Sequence, residues 1–352
     1  MFQKELNGID LSGRIAAWDL LKLFAIFLVV DGHCMQHLLR VETINNPLFL
    51  WISSFHMPLF MSLSGIFAHK SYRLPVNQYL LKRSRQILLP CFSWSIITLV
   101  FLLILIDNQS FSFQSFAINS LWFLKSVFIC GILGLIAFKP QRHRIKWILF
   151  SLIISQFCLI WNVFIMYPCY LFGILIFRYI SWIINHKTWI LCLSGIIFFG
   201  LSLYVSFTPD FWILNKGIRA AIFSGELTVK ESIVFLMEVV SKRYMQLLIG
   251  MCGSLFFIVL FINLFSRINN KLLTFFANQG KYTLAIYVIQ TVILETVLVH
   301  FISFDRSILW LFDGFIAPII SILIIIICLY INRTILQCGD KIATLLLGVQ
   351  RT

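Results

Sequence analysis

Arg14-Ile-Ala-Ala-Trp-Asp19-Leu-Leu-Lys22-Leu-Phe-Ala-Ile-Phe-Leu-Val-Val-Asp31-Gly32-His33-Cys-Met-Gln36-His37 is the stretch that settles the fold class. Its apolar run of about 25 residues exceeds the ~20 that cross bilayer hydrocarbon as a helix, and it is longer than the apolar core of a signal peptide. No small-residue cleavage site follows it, so it reads as an uncleaved first transmembrane helix. The rest of the chain has the same character. Of its 352 residues, 60% are apolar and 12% charged, with mean hydropathy +0.93. A soluble domain carries about 45–50% apolar and about 25% charged residues. The expected fold class is therefore all-α: a polytopic integral membrane protein of about ten transmembrane helices, with one transmembrane domain over residues 1–352.

The windows fall at roughly 15–39, 48–68, 87–106, 121–138, 146–161, 164–184, 188–207, 244–265, 282–302 and 308–331. Net charge is +14, from 28 Lys+Arg against 14 Asp+Glu. This excess does not mark a nucleic-acid binder, because the cations gather in alternate loops. With the N-terminus inside, nineteen of the 28 fall in cytoplasmic segments and seven outside, which supports both termini being cytoplasmic. The split near Trp161–Asn162 is the weakest boundary. Merging the helices there would place the basic 266–281 segment outside, so the split is kept. The longest connection, 208–243, is read as an outer loop of mixed charge with room for an interfacial helix. The nine cysteines are scattered, with no CxxC pair and no Cys/His ligand spacing, so neither a disulfide framework nor a metal site is expected.

Ionisable groups within a membrane helix are costly and mark functional positions by default. Lys22 and His33 are eleven residues apart, about 20° out of phase on one helical face and roughly 16 Å apart along the axis. Asp19, at i−3 from Lys22, shares that face. A cation low in the membrane and an imidazole more than half-way across suit a ligand with an anionic end near the cytoplasm and a reacting atom delivered to His33. Imidazole titrates near neutral pH and suits general-base work. Plainer readings stand beside these: His33 as a buried histidine satisfied by a neighbouring helix, Asp19 and Lys22 as a snorkelling anchor, and His37 as interfacial. Asp31 points away from His33 and is expected to pair with another helix.

Asp19-Leu-Leu-Lys22, followed eleven residues later by His33, resembles the first-helix signature of the membrane-bound acyltransferase 3 family. Phe55-His56-Met57-Pro58-Leu59-Phe60-Met61-Ser62-Leu63-Ser64-Gly65-Ile66-Phe67 is similar to that family's second-helix block. Weaker echoes are Leu121-Trp122-Phe123-Leu124, Tyr167 to Gly173, and Gly280-Lys281-Tyr282-Thr283-Leu284-Ala285-Ile286-Tyr287. The resemblance implies an enzyme of the bacterial cytoplasmic (inner) membrane that moves an acyl group, most often acetyl, from cytoplasmic acyl-CoA (acetyl-CoA) to a hydroxyl of a surface carbohydrate such as an O-antigen, capsule or exopolysaccharide unit. The implied partners are a carbohydrate acceptor, free or lipid-linked, and membrane lipid. It implies His33 as the catalytic histidine and Lys22 as the basic partner, where many members have Arg. Gln290 stands where many members have histidine. No appended extracytoplasmic domain is expected.

With CoA as donor, the basic segment Lys70, Arg73, Lys82, Arg83 and Arg85 is suited to its phosphates, with Asp19 and Lys22 at the donor entry. Contact with anionic lipid explains the same cluster equally well. His56 is placed to orient His33 or to help bind the sugar, and a packing role before Pro58 also accounts for it. Trp122 and Phe123 are candidates to stack on a sugar, or belong to an interfacial aromatic belt. Glu295 and Gln290 are candidates on the acceptor side, Glu295 also as the group that orients an imidazole. A transporter or flippase of lipid-linked sugars is the alternative function.

Overall fold

The structure is a computed structural model that describes residues 16–105, 112–140, 142–158, 160–208, 229–267 and 271–348. Lys4, Asp10 and Arg14, and most of the outer loop expected at 208–243, lie outside the described residues. So does the side chain of Lys70.

Among the described residues every regular element is helical; one isolated bridge joins Leu39 to Phe304. The chain runs α1 Ala16–Leu38, α2 Pro47–Ser53, α3 His56–Ala68, α4 Val76–Arg83, α5 Leu89–Leu105, α6 Phe113–Asn119, α7 Trp122–Phe138 and α8 Arg144–Phe157. It continues with α9 Val163–Arg178, α10 Ile180–Asn185, α11 Lys187–Ser206, α12 Val229–Arg267, α13 Lys271–Gln279, α14 Thr283–Gln290, α15 Ala317–Gln337 and α16 Asp340–Leu347. Among the described residues seven helical segments are long and apolar enough to cross a membrane, or eight if the bent pair α6–α7 is one span. Two expected passes are not in that count. One is α1, broken in character by Asp19, Lys22, Asp31, His33 and His37. The other is α8, whose 14 residues extend only ~21 Å.

The break at Trp161–Asn162 is present: both residues adopt left-handed backbone, at φ 54° and 55°, and separate α8 from α9. Asparagine tolerates that region, whereas tryptophan does so at a cost. The expected loop 208–243 differs from what is observed. Helix α12 starts at Val229 and runs 39 residues, so the polar stretch before residue 244 extends the membrane helix beyond its apolar part.

Helix α1 is the hub. It packs against α2, α3, α12, α13, α14 and α15, and most of its side chains are buried. That surrounds its ionisable groups with protein instead of lipid. Asp31 meets α15 as expected, its Oδ1 accepting from Ser321 Oγ at 3.3 Å. Helices α3 and α9 cross with their backbones nearly touching. A Cβ on Gly65 would lie 2.0 Å from the Tyr170 carbonyl oxygen, and one on Gly173 1.9 Å from that of Ser62. Only glycine allows these backbones to approach so far, the small-residue packing common between membrane helices.

The other determinant is Pro58. Proline lacks an N–H and crowds the carbonyl four residues earlier, and α2 gives way to α3 at Ser54–Phe55. His56 opens the second half of this broken span. The nine cysteines, all among the described residues, form no disulfide.

Candidate active site

Two adjoining cavities lie against α1. The larger, about 280 Å³, is lined by polar groups that include His33, Gln36, His56, Ser53, Asn162 and Gln246, with Trp122 beside them. The smaller, about 160 Å³, is apolar; Ile26, Phe60, Ile87, Phe123, Leu124 and Leu284 are among its walls. Val29, Met57 and Tyr287 line both and form the seam. The apolar chamber lies on the Lys22 side of His33, because Ile26 and Val29 precede His33 on α1.

His33 is not sealed among aliphatic neighbours. Its side chain is 25% exposed and faces the larger cavity. Nδ1 stands 3.1 Å from Glu295 Oε1, close enough for an ion pair but off the line of an aligned hydrogen bond. The His37 ring stacks parallel to His33 at 5.7 Å between centroids. Glu295 is delivered by a π-helical stretch, Thr291–Leu298, which follows α14. Wider winding there puts Gln290 and Glu295 on one side, and Gln290 Nε2 donates to Glu295 Oε1 at 3.4 Å and to Thr291 Oγ1 at 3.3 Å. Gln290 is fully buried and does not line either cavity, so it holds the carboxylate from behind. The C-terminal end of α1 is pinned to the same region, with Phe304 N donating to Leu38 O at 2.8 Å and Arg40 N to Phe304 O at 2.9 Å.

His56 Nδ1 lies 2.8 Å from Ile52 O. A carbonyl only accepts, so this nitrogen carries the proton and Nε2 is left as the acceptor in the neutral ring. A carboxylate beside His33 Nδ1 favours the same tautomer there. The polar cavity therefore has two imidazoles, each with its Nδ1 beside an acceptor, hydrogen-bonded in His56 and out of line in His33.

Lys22 and Asp19 pair at 3.0 Å, and the ammonium sits 4.0 Å from the centroid of the Phe67 ring. They lie below the cavities without lining them. Of the basic segment, Arg73, Lys82 and Arg85 are exposed at this end of the bundle, and Arg83 rests over Tyr79. The segment connects to the site through Ile87. That residue shares the π-helical turn Ser84–Leu88 with Arg85 and lines the apolar chamber. Trp122 and Phe123 divide, Trp122 to the polar cavity and Phe123 to the apolar one.

The sequence reading missed Asn162, Gln246, Ser53 and Tyr287 as lining residues. Gln246 had a usable signal, a polar amide within an otherwise apolar window. Asn162 had another, since it stands at the one uncertain boundary. The two strained turns, Leu121 at φ 47° and Trp161–Asn162, flank the cavity and are tied by Trp161 Nε1 donating to Ile118 O at 2.7 Å. No metal was expected, yet His33, His37 and Glu295 bring ligand atoms within 4.8 Å of one another, a two-histidine, one-carboxylate set. The spacing that carries it is the i,i+4 pair His33/His37, completed in space by Glu295.

Residues 15–333 match the family described as "Acyltransferase domain", of the acyltransferase 3 type. Nodulation protein NolL of Mesorhizobium japonicum is 30% identical over 132 residues, covering 35% of this chain and 35% of the relative. The matched region thus spans about a third of that curated relative's length. No solved structure matches.

Proposed function

The chain belongs to this acyltransferase family, and from that premise we propose that it transfers an acyl group, acetyl in the first instance, from cytoplasmic acyl-CoA to a hydroxyl of a surface carbohydrate. The membership itself supports membrane acyltransferase activity and does not favour the transporter reading. The finer reading rests on one observation above all: the imidazole of His33, backed by Glu295, stands where an apolar chamber from one side meets a polar chamber from the other.

The apolar chamber suits the uncharged pantetheine arm and the acyl thioester. Phosphates of the donor remain with Arg73, Lys82, Arg83 and Arg85 at the end of the bundle, and Lys22, paired to Asp19, adds positive potential there. The polar chamber, with Trp122, Asn162, Gln246 and His56, suits a sugar, since amides and hydroxyls match its hydrogen bonds and an indole its face. His33 takes the acceptor's hydroxyl proton as that oxygen attacks the thioester carbonyl. The new C–O bond forms, the C–S bond breaks, and the imidazolium returns the proton to the departing thiolate sulfur. Glu295 holds the ring and balances the transient imidazolium, and Gln290 holds Glu295. In this reading α1, surrounded by its neighbours, and α8, with its apolar side chains facing outward, also cross, which makes ten passes with both ends in the cytoplasm of a bacterial inner membrane.

The test is glycan analysis of a host with and without the protein. Addition of one acetyl group per repeat, seen by mass and by acetyl NMR signals, supports the reading. An unchanged glycan from a host in which the protein is inserted and acyl-CoA is present refutes it.

A further inference from the structure

One cation shares a helix face with a residue of the polar cavity, without lining the cavity itself. Arg243 lies on α12, three residues before Gln246, which lines the cavity; that spacing places both on one face, ~4.5 Å apart along the axis. Its guanidinium rests 4.2 Å from the ring centroid of Phe164, itself buried between Asn162 and the lining residues Ile165 and Met166. Arg243 Nε is shielded from solvent and, among the described residues, has no hydrogen-bond partner. Among the described residues no carboxylate pairs with it. The neighbouring Lys242, by contrast, is paired with Glu238 on the preceding turn.

A half-buried guanidinium held against a ring, with its Nε shielded from water and unpaired, is completed by an anion. Neutral sugar hydroxyls do not require it. Its position, six residues into the candidate span that starts at Met237, is ~9 Å along the helix from that end, near an end of the bundle that a phosphate-linked acceptor can reach.

Building on the acyltransferase reading above, we propose that Arg243 is a specificity-determining residue of the acceptor site, which grips a phosphate group carried by the acceptor while the sugar extends past Gln246 toward His33. The planar fork of arginine takes two phosphate oxygens at once, and Phe164 holds the fork flat. The enzyme then prefers acceptors joined to their lipid through phosphate over the same sugar without it.

The experiment measures binding, without turnover, to purified full-length protein in a phosphate-free maltoside detergent. The probes are an isoprenyl diphosphate sugar and the isoprenyl glycoside of the same sugar. Wild type is expected to bind the diphosphate probe at least about tenfold more tightly, the range of a charge-assisted hydrogen bond. Arg243→Gln is expected to bind both probes alike, and Arg243→Lys to fall between, with all three proteins eluting as the same monodisperse species. Equal affinity of wild type for the two probes, no binding of the diphosphate probe, or a preference retained in Arg243→Gln overturns the proposal. A further arm adds phosphatidylglycerol. If that lipid abolishes the wild-type preference and is retained by wild type but not by Arg243→Gln, the guanidinium serves a lipid headgroup and the proposal falls. Because no acyl transfer is read, failure of the acyltransferase reading would appear separately, as phosphate preference in a protein that leaves acyl-CoA intact.

Discussion

Glu295→Gln separates charge from shape at the centre of the site. The amide fills the same volume and its oxygen takes the same place beside His33 Nδ1, so the contact is kept and only the negative charge goes. A carboxylate 3.1 Å from a full imidazolium is worth about 5 kcal/mol at an effective dielectric constant of ~20. The two side chains are 25% and 26% exposed, so solvent screens part of this, and in the transition state the ring holds only part of a proton. About half remains, roughly 2–3 kcal/mol, which lowers kcat by about a hundredfold. Glu295→Ala also frees the ring and is expected to cost more. Neither change reaches the apolar chamber, so KM for acyl-CoA should hold within about twofold. The assay is acyl-CoA consumption with acceptor present, by protein reconstituted in lipid discs. A kcat for Glu295→Gln within threefold of wild type would refute the argument that this carboxylate balances charge on His33.

Four other outcomes follow from the geometry. Met57→Trp fills the seam between the chambers and should cut kcat/KM for acyl-CoA at least tenfold with the thermal unfolding midpoint little changed, read by steady-state kinetics and light-scattering thermal scans. Replacing Lys82 and Arg85 together by Gln should raise KM for acyl-CoA several-fold, leave kcat alone and flatten the dependence of KM on salt. Gly173→Leu drives a side chain into the Ser62 carbonyl, so the α3–α9 crossing must open; overpacking of ~1–3 kcal/mol or more should appear as a lower unfolding midpoint and poor yield. Treatment with a strong chelator should leave the rate within twofold, because the imidazole itself accepts the proton. Loss of activity restored by zinc would instead make His33, His37 and Glu295 a metal centre.

How far the molecule was legible in its residues depended on whether the signal was local. Apolar length located the long apolar helices but not the short α4, α6, α13 and α16, and the Trp161–Asn162 break was visible because polar residues interrupt an apolar run there. The eleven-residue register of Lys22 and His33 predicted a shared face, and His33 does open on a cavity. Breaks within helices were less visible. The π-helical stretch at Thr291–Leu298 has no compositional mark, and without it the partnership of Glu295 with His33 could only be guessed. Gln290 looked like an acceptor ligand because its backing role depends on that wider winding. Lys22 was expected along the donor path, but the i−3 carboxylate of Asp19 and the face of Phe67 hold it below the chambers. The 229–243 segment read as loop because its charges suppress hydropathy, although nothing in it breaks a helix.

His33 carries the account, and the most direct measurement is turnover by His33→Gln, inserted and folded as wild type, with acyl-CoA and the carbohydrate acceptor identified by glycan analysis. Loss of a general base should lower kcat by about 10²–10⁴ while donor affinity persists. Transfer at a rate within threefold of wild type would contradict the account.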